Sequence, residues 1–216
     1  MHSTQKPDNW TLFLQDGAQF KGRLFGYAAS ASGEIVFNTG MVGYTEALTD
    51  PSYKGQILVL TFPLVGNYGV SSTRSVQSDS GNLGMFESAR VQVAGLVVSE
   101  ICVDHSHWSS VKSLSEWLHE ERVPALFGVD TRAVTRRLRE RGSLIGSIGT
   151  HPAEHGVRDP NLENLVAQVS VREPMLYGSG RKRVVLVDCG CKSNIIRELL
   201  ARDVSVLRVP WDYDFL

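Results

Sequence analysis

Residues 183–210 read RVVLVDCGCKSNIIRELLARDVSVLRVP, and three patterns follow one another within them. RVVLVDCG is an apolar run of strand length that ends in a glycine turn. CKSNIIRELLARD puts Ile195, Ile196, Leu199 and Leu200 on one side of a helix. VSVLRVP is a second apolar run. Strand, tight turn, helix, strand is a βαβ unit, the opening of a parallel α/β sheet. One such unit offers little sheet for both layers, so residues 183–216 are expected to be the truncated start of a larger α/β domain.

Upstream, the pattern fades. Residues 151–182 hold three prolines, several glycines and scattered charges, and run into YGSGRKR (177–183), so they read as a linker with little regular structure. Ahead of it the chain mixes strand and helix signals, an α+β character. WTLFLQDGAQFKGRLFGY (10–27) has two apolar segments around Asp16-Gly17, a hairpin signal. EIVFNTG (34–40), QILVLTFP (56–63), VAGLVV (93–98) and SLIGSIG (143–149) are further strand candidates. Residues 66–90, rich in Gly, Ser and Asn, show no period and read as a long loop. Ser113 or Ser115 caps a helix over LSEWLHEER (114–122), which Pro124 stops. In VDTRAVTRRLRERG (129–142), Asp130 or Thr131 is the natural N-cap, Val134 and Leu138 share a face, and Gly142 ends the helix.

The 216 residues contain 42% hydrophobic and 21% charged side chains, which argues against a disordered, collagen-like or coiled-coil chain. Twenty-two Lys and Arg stand against 23 Asp and Glu, so nothing global points to nucleic acid or a membrane surface. Three cysteines read as reduced thiols in a cytoplasmic chain. No apolar run approaches the roughly 18 residues of a membrane helix. Residues 1–9 lack the apolar core of a secretory signal and read as a disordered tail.

Several residues could carry chemistry. Cys189 and Cys191 form a C-x-C pair near a helix N-terminus, which would lower a thiol pKa, but no base accompanies them, and packing is the favoured reading. His105 and His107 could donate two nitrogens, yet the rest of a metal-ligand set is missing, and no metal site is assigned. The turn after VVLVDCGCKSN offers free N–H groups to a phosphate, but Gly190 stands alone, without a dinucleotide fingerprint. Arg132, Arg136, Arg137, Arg139 and Arg141 spread around one helix and read as a solvated or partner-facing surface. In ALTDPSYKGQ (47–56), Asp50-Pro51 starts a turn that presents Ser52 and Tyr53 ahead of a buried strand. Without a nearby base, Ser52 suits hydrogen bonding rather than attack. In NTGMVGYTEA (38–47), Gly40 and Gly43 flank an apolar pair and suit close backbone approach.

Three long segments carry a resemblance: 33–69, GEIVFNTGMVGYTEALTDPSYKGQILVLTFPLVGNYG; 128–148, GVDTRAVTRRLRERGSLIGSI; and 184–200, VVLVDCGCKSNIIRELL. Together they resemble the small, glutamine-using part of carbamoyl phosphate synthetase, from about residue 10 onward. SHW (106–108) and VPWDYDF (209–215) are closer to the eukaryotic form, where this part is commonly fused to the synthetase. The resemblance implies a β/β/α amino-terminal domain over 10–150 and the first βαβ unit of a class I glutamine amidotransferase domain over 183–216. The parent would hydrolyse glutamine and pass ammonia to a synthetase part that makes carbamoyl phosphate, for pyrimidine or arginine synthesis. ATP and Mg²⁺ would belong to that synthetase part, and this chain would hold no cofactor. The family's nucleophilic Cys, its His and its Glu would lie beyond residue 216. No catalytic residue is therefore assigned here, and the chain alone is expected to be inactive. Ser52 matches the serine that contacts substrate glutamine in the family's DPSY segment. The alternative is a non-catalytic docking module for a synthetase partner.

Overall fold

The computed structural model describes residues 9–71, 85–152 and 157–214. Residues 1–8 of the expected tail at 1–9 and residues 72–84 of the expected long loop lie outside the described residues.

Strands β1 (Trp10–Leu14) and β2 (Gln19–Leu24) form the expected hairpin. Gly17 takes φ 87°, which a side chain would resist, and its N–H donates to the Leu14 carbonyl at 3.0 Å. Next come β3 (Ala31–Asn38), α1 (Tyr44–Thr49), a 3₁₀ turn at Pro51–Tyr53 and β4 (Gln56–Leu60). After β5 (Val70–Ser71) follow β6 (Gly95–Val98), β7 (Ser110–Lys112), α2 (Leu114–Glu120), β8 (Ala125–Phe127), α3 (Thr131–Arg141) and β9 (Leu144–Gly149).

Seven of these strands close into a barrel in the order β1-β2-β8-β6-β4-β3-β9, where the resemblance implied a β/β/α unit. Neighbours from β3 through β4 and β6 to β8 run parallel, and the remaining pairs are antiparallel. This topology explains why ILVL (57–60) reads as an unbroken apolar run. Ile57 and Val59 join a cluster that gathers Leu12, Ile35, Val97, Leu126 and Ile148 from around the ring. Leu58 and Leu60 join a second cluster with Leu48 of α1 and with Leu114, Trp117 and Leu118 of α2. A parallel strand covered on both faces has no polar side to show.

The helix caps follow the sequence closely. Ser113, not Ser115, caps α2, in a box closed by Glu116. Asp130, not Thr131, caps α3 by accepting from Ala133 N at 2.9 Å, and Gly142 ends the helix. Val134 and Leu138 of α3 are buried in the barrel cluster.

The expected linker contains more structure than its composition announces. It holds a 3₁₀ turn at Pro160–Leu162, α4 (Leu165–Val169) and β10 (Met175–Tyr177). Five and three residues are too short to display a period, and α4 buries none of its side chains, so no amphipathic stripe exists to be read. The expected βαβ unit is present as β11 (Lys182–Asp188), α5 (Ser193–Leu200) and β12 (Val204–Pro210), with β11 and β12 parallel. Strand β10 adds to it antiparallel, giving the order β10-β12-β11. The α/β character therefore holds. Between residues 66 and 90, the described part includes β5, paired with β7, and a buried Phe86 stacked on Trp117 at 5.2 Å.

Candidate functional site

The DPSY turn meets the β11–α5 turn where the barrel joins the βαβ unit. Asp50, 6% exposed, accepts from Ser52 N through Oδ1 at 2.9 Å, the local bond that Asp-Pro turns favour. Its other oxygen, Oδ2, pairs with Lys192 Nζ at 2.7 Å. Lys192 immediately precedes α5. The hydrogen bond that Lys192 donates to Asp50 outweighs the opposing burial and holds the Lys192 ammonium above its usual pKa. A folded-state pKa raised in this way gives stability that is complete below the lysine's usual 10.5 and fades as pH climbs past it.

Asp188, fully buried at the end of β11, shapes the opposing turn. Oδ1 accepts from Gly190 N at 3.1 Å and Cys191 N at 2.8 Å. Oδ2 accepts from Val171 N at 2.6 Å and pairs with Arg208 of β12 at 2.8 Å. Gly190 takes φ 99°, and a Cβ there would meet Val169 at 3.0 Å and Pro51 at 3.3 Å. Glycine is thus required twice at this position, by its dihedral and by the approach of the DPSY turn.

A second contact runs beside the first. Helix α5 has no side-chain cap of its own. Glu87, from the barrel part, takes that role. Its backbone carbonyl accepts from Ser193 N at 2.9 Å, and its Oε2 accepts from Asn194 N at 3.0 Å. Glu87 N in turn donates to Thr49 Oγ1 at 3.0 Å. Adjacent residues Thr49 and Asp50 therefore both connect to the entrance of α5. Neither Glu87 nor Lys192 stood out in the sequence: Glu87 lies in an aperiodic loop, and Lys192 looks like any lysine before a helix. The one available signal was Asp50, an acid committed to a turn beside an apolar strand.

The sequence candidates fall as follows. Ser52 is exposed, and its hydroxyl has no hydrogen-bond partner among the described residues. Cys189 is exposed and Cys191 half-buried, and burial pushes the Cys191 thiol up. That reverses the lowering expected of a helix N-terminus, because desolvation of the thiolate prevails. His107 Nδ1 is 2.8 Å from Ser109 Oγ, and among the described residues no three His, Cys, Asp or Glu side chains gather to hold a metal ion. On α3, Arg137 pairs with Asp16 and Arg139 lies 5.4 Å from the Phe37 ring centre, so part of that basic surface serves the fold. Met41 and Val42, the apolar pair between Gly40 and Gly43, are 70% and 80% exposed. No helix among the described residues is long and apolar enough to cross a membrane.

Known proteins are similar to this sequence. The family model "Carbamoyl-phosphate synthase small chain, CPSase domain" matches residues 12–148. The multifunctional protein CAD of Squalus acanthias is 51% identical over 209 residues, covering 95% of this chain and 9% of that protein. The mitochondrial carbamoyl-phosphate synthase [ammonia] of Aquarana catesbeiana is 47% identical over 212 residues, covering 97% of this chain and 14% of the relative. The multifunctional protein pyr1-3 of Dictyostelium discoideum is 46% identical over 217 residues, covering 94% and 10%. The chain thus spans about a tenth of the length of these relatives. Among solved structures, an aminopeptidase from Aneurinibacillus sp. strain AM-1 overlays with a TM-score of 0.39 at 11% identity, covering 95% of this chain and 49% of the other, a likeness too weak to bear on the fold. A family match across the barrel strands and 46–51% identity along nearly the whole chain place the protein in the carbamoyl-phosphate synthase small-chain family, alongside its eukaryotic members.

Proposed function

We propose that this chain is the amino-terminal part of the glutaminase portion of a glutamine-hydrolysing carbamoyl phosphate synthetase. The parent takes glutamine's side-chain amide nitrogen and passes it as ammonia to a synthetase part, fused or separate. That part uses ATP, Mg²⁺ and bicarbonate to make carbamoyl phosphate for pyrimidine or arginine synthesis. The setting is cytoplasmic, and the βαβ unit opens a class I amidotransferase domain.

The observation that carries the reading is the pinning of the DPSY turn against the β11–α5 turn. It supports Ser52 as a substrate contact: a free hydroxyl on a turn fixed by Asp50, Pro51 and Lys192. Such a hydroxyl donates to the carboxylate of glutamine or accepts from its ammonium group. On this reading the nucleophile, its base and the orienting carboxylate lie outside residues 1–216. None of Cys102, Cys189 and Cys191 hydrogen-bonds a histidine among the described residues, which supports inactivity of the chain alone.

The test is Ser52→Ala in the complete enzyme. A hydrogen bond to a charged group contributes about 1.5–3 kcal/mol, so the KM for glutamine should rise roughly tenfold to a hundredfold. Ammonia-dependent synthesis should be unchanged. Equal losses with both nitrogen donors would overturn the assignment.

A second reading has one observation in its favour: some relatives are named carbamoyl-phosphate synthase [ammonia]. On it, this chain is a non-catalytic docking module for a synthetase that takes free ammonia. Synthesis by the complete protein from ammonium and not from glutamine would favour it.

A further inference from the structure

A cleft of about 350 Å³ lies beside the DPSY turn, between the barrel and the segment that holds α4. Four of its wall residues are cationic, Lys54, Arg90, Arg122 and Arg158, and two are acidic, Glu121 and Glu163. Only one of the acids is ion-paired among the described residues. Glu163 is gripped by the Arg158 guanidinium, and Glu121 Oε2 accepts from Val91 N at 3.3 Å. Lys54, Arg90 and Arg122 have no ion pair among the described residues.

Lys54 is half-buried and the three arginines are exposed, and like charges drawn together repel one another unless a countercharge joins them. Lys54 registers this: burial first, then the charges of Arg90 and Arg158, hold its ammonium below its usual pKa. Arg122 follows α2 at φ 59°, in the left-handed position where glycine is the favoured residue. The sequence keeps a guanidinium at the rim of the cleft there, against backbone preference.

We propose that this cleft binds a small multivalent oxyanion, a phosphorylated or polycarboxylate metabolite, held by Lys54, Arg90 and Arg122. Guanidinium groups match phosphate and carboxylate oxygens in pairs, and three cations without an ion pair, set against the single carboxylate of Glu121, call for more than one negative charge. The volume lies at the small end of the roughly 300–1,000 Å³ typical of metabolite pockets. Lys54 is two residues beyond Ser52, so occupancy would be felt at the glutamine-facing turn. That consequence rests on the proposed function, whereas the binding does not.

Calorimetric titration of the 216-residue chain with pyrophosphate and with citrate, each against KCl of matched ionic strength, tests the site without any glutaminase readout. Saturable binding is expected, weakened about tenfold to a hundredfold by Lys54→Met and by Arg90→Gln. Binding of pyrophosphate alone assigns a phosphoryl ligand, and binding of citrate alone a polycarboxylate. Arg90 is exposed, so its variant carries the test should Lys54→Met unfold the chain. Heats no larger than those of KCl, or binding that both variants leave intact, would overturn the proposal.

Discussion

Asp188 holds four partners at once: the N–H groups of Gly190, Cys191 and Val171, and the Arg208 guanidinium. Removing one charge of a buried pair strands the other, at a cost of about 3–5 kcal/mol. Asp188→Asn should therefore destabilise the chain by roughly that amount in urea titration, since Arg208 is itself largely buried. A change under about 1 kcal/mol would show that water reaches Arg208 and replaces the carboxylate. At this scale the sequence was legible where residues adjacent in the chain cooperate. Asp50-Pro51 announced its turn, and Ser52 its exposure. It was silent where partners are distant: Asp50 and Lys192, or Asp188 and Arg208, become pairs only once the fold has joined them.

Among the elements, α2 and α3 were readable because each carries its own cap and an apolar stripe, two independent signals that agree. Strand β10 was not readable, because three residues become a strand only by pairing with β12. Helix α5 lies between these cases. Its apolar side was plain in the sequence, but its cap is borrowed from Glu87. Glu87→Ala should remove the Oε2 contact to Asn194 and loosen the helix entrance by about 0.5–2 kcal/mol, the usual worth of an N-cap. Amide hydrogen exchange should then quicken in the first turn of α5 while β4 and β6 keep their protection. Equal acceleration throughout would make Glu87 a determinant of global stability instead.

For the whole molecule, the contrast is between a closed ring and an open sheet. The barrel has no edge strand, while β11 pairs only with β12 among the described residues. Val184, Val185 and Val187 on β11 are 38%, 48% and 39% exposed, and Ile195 of α5 is 48% exposed. An apolar strand with a bare edge is a template for another copy. Sedimentation of the 216-residue chain should show concentration-dependent self-association, and Val185→Lys should suppress it. A monomer at all concentrations would mean that this surface is masked in solution. The sequence announced the βαβ unit and its scant sheet. It did not announce ring closure, which depends on β1 meeting β9 from the far end of the domain.

The contact between Glu87 and α5 spans 106 residues of chain. On a ribosome adding about 5–20 residues per second, the barrel side of that contact emerges roughly 5–20 s before the helix it caps. The ring itself closes only after β9, whose last residue Gly149 precedes Ser193 by 44 residues, or about 2–9 s at the same rate, so a closed barrel can still be in place when α5 appears, and the nascent helix docks onto a waiting surface.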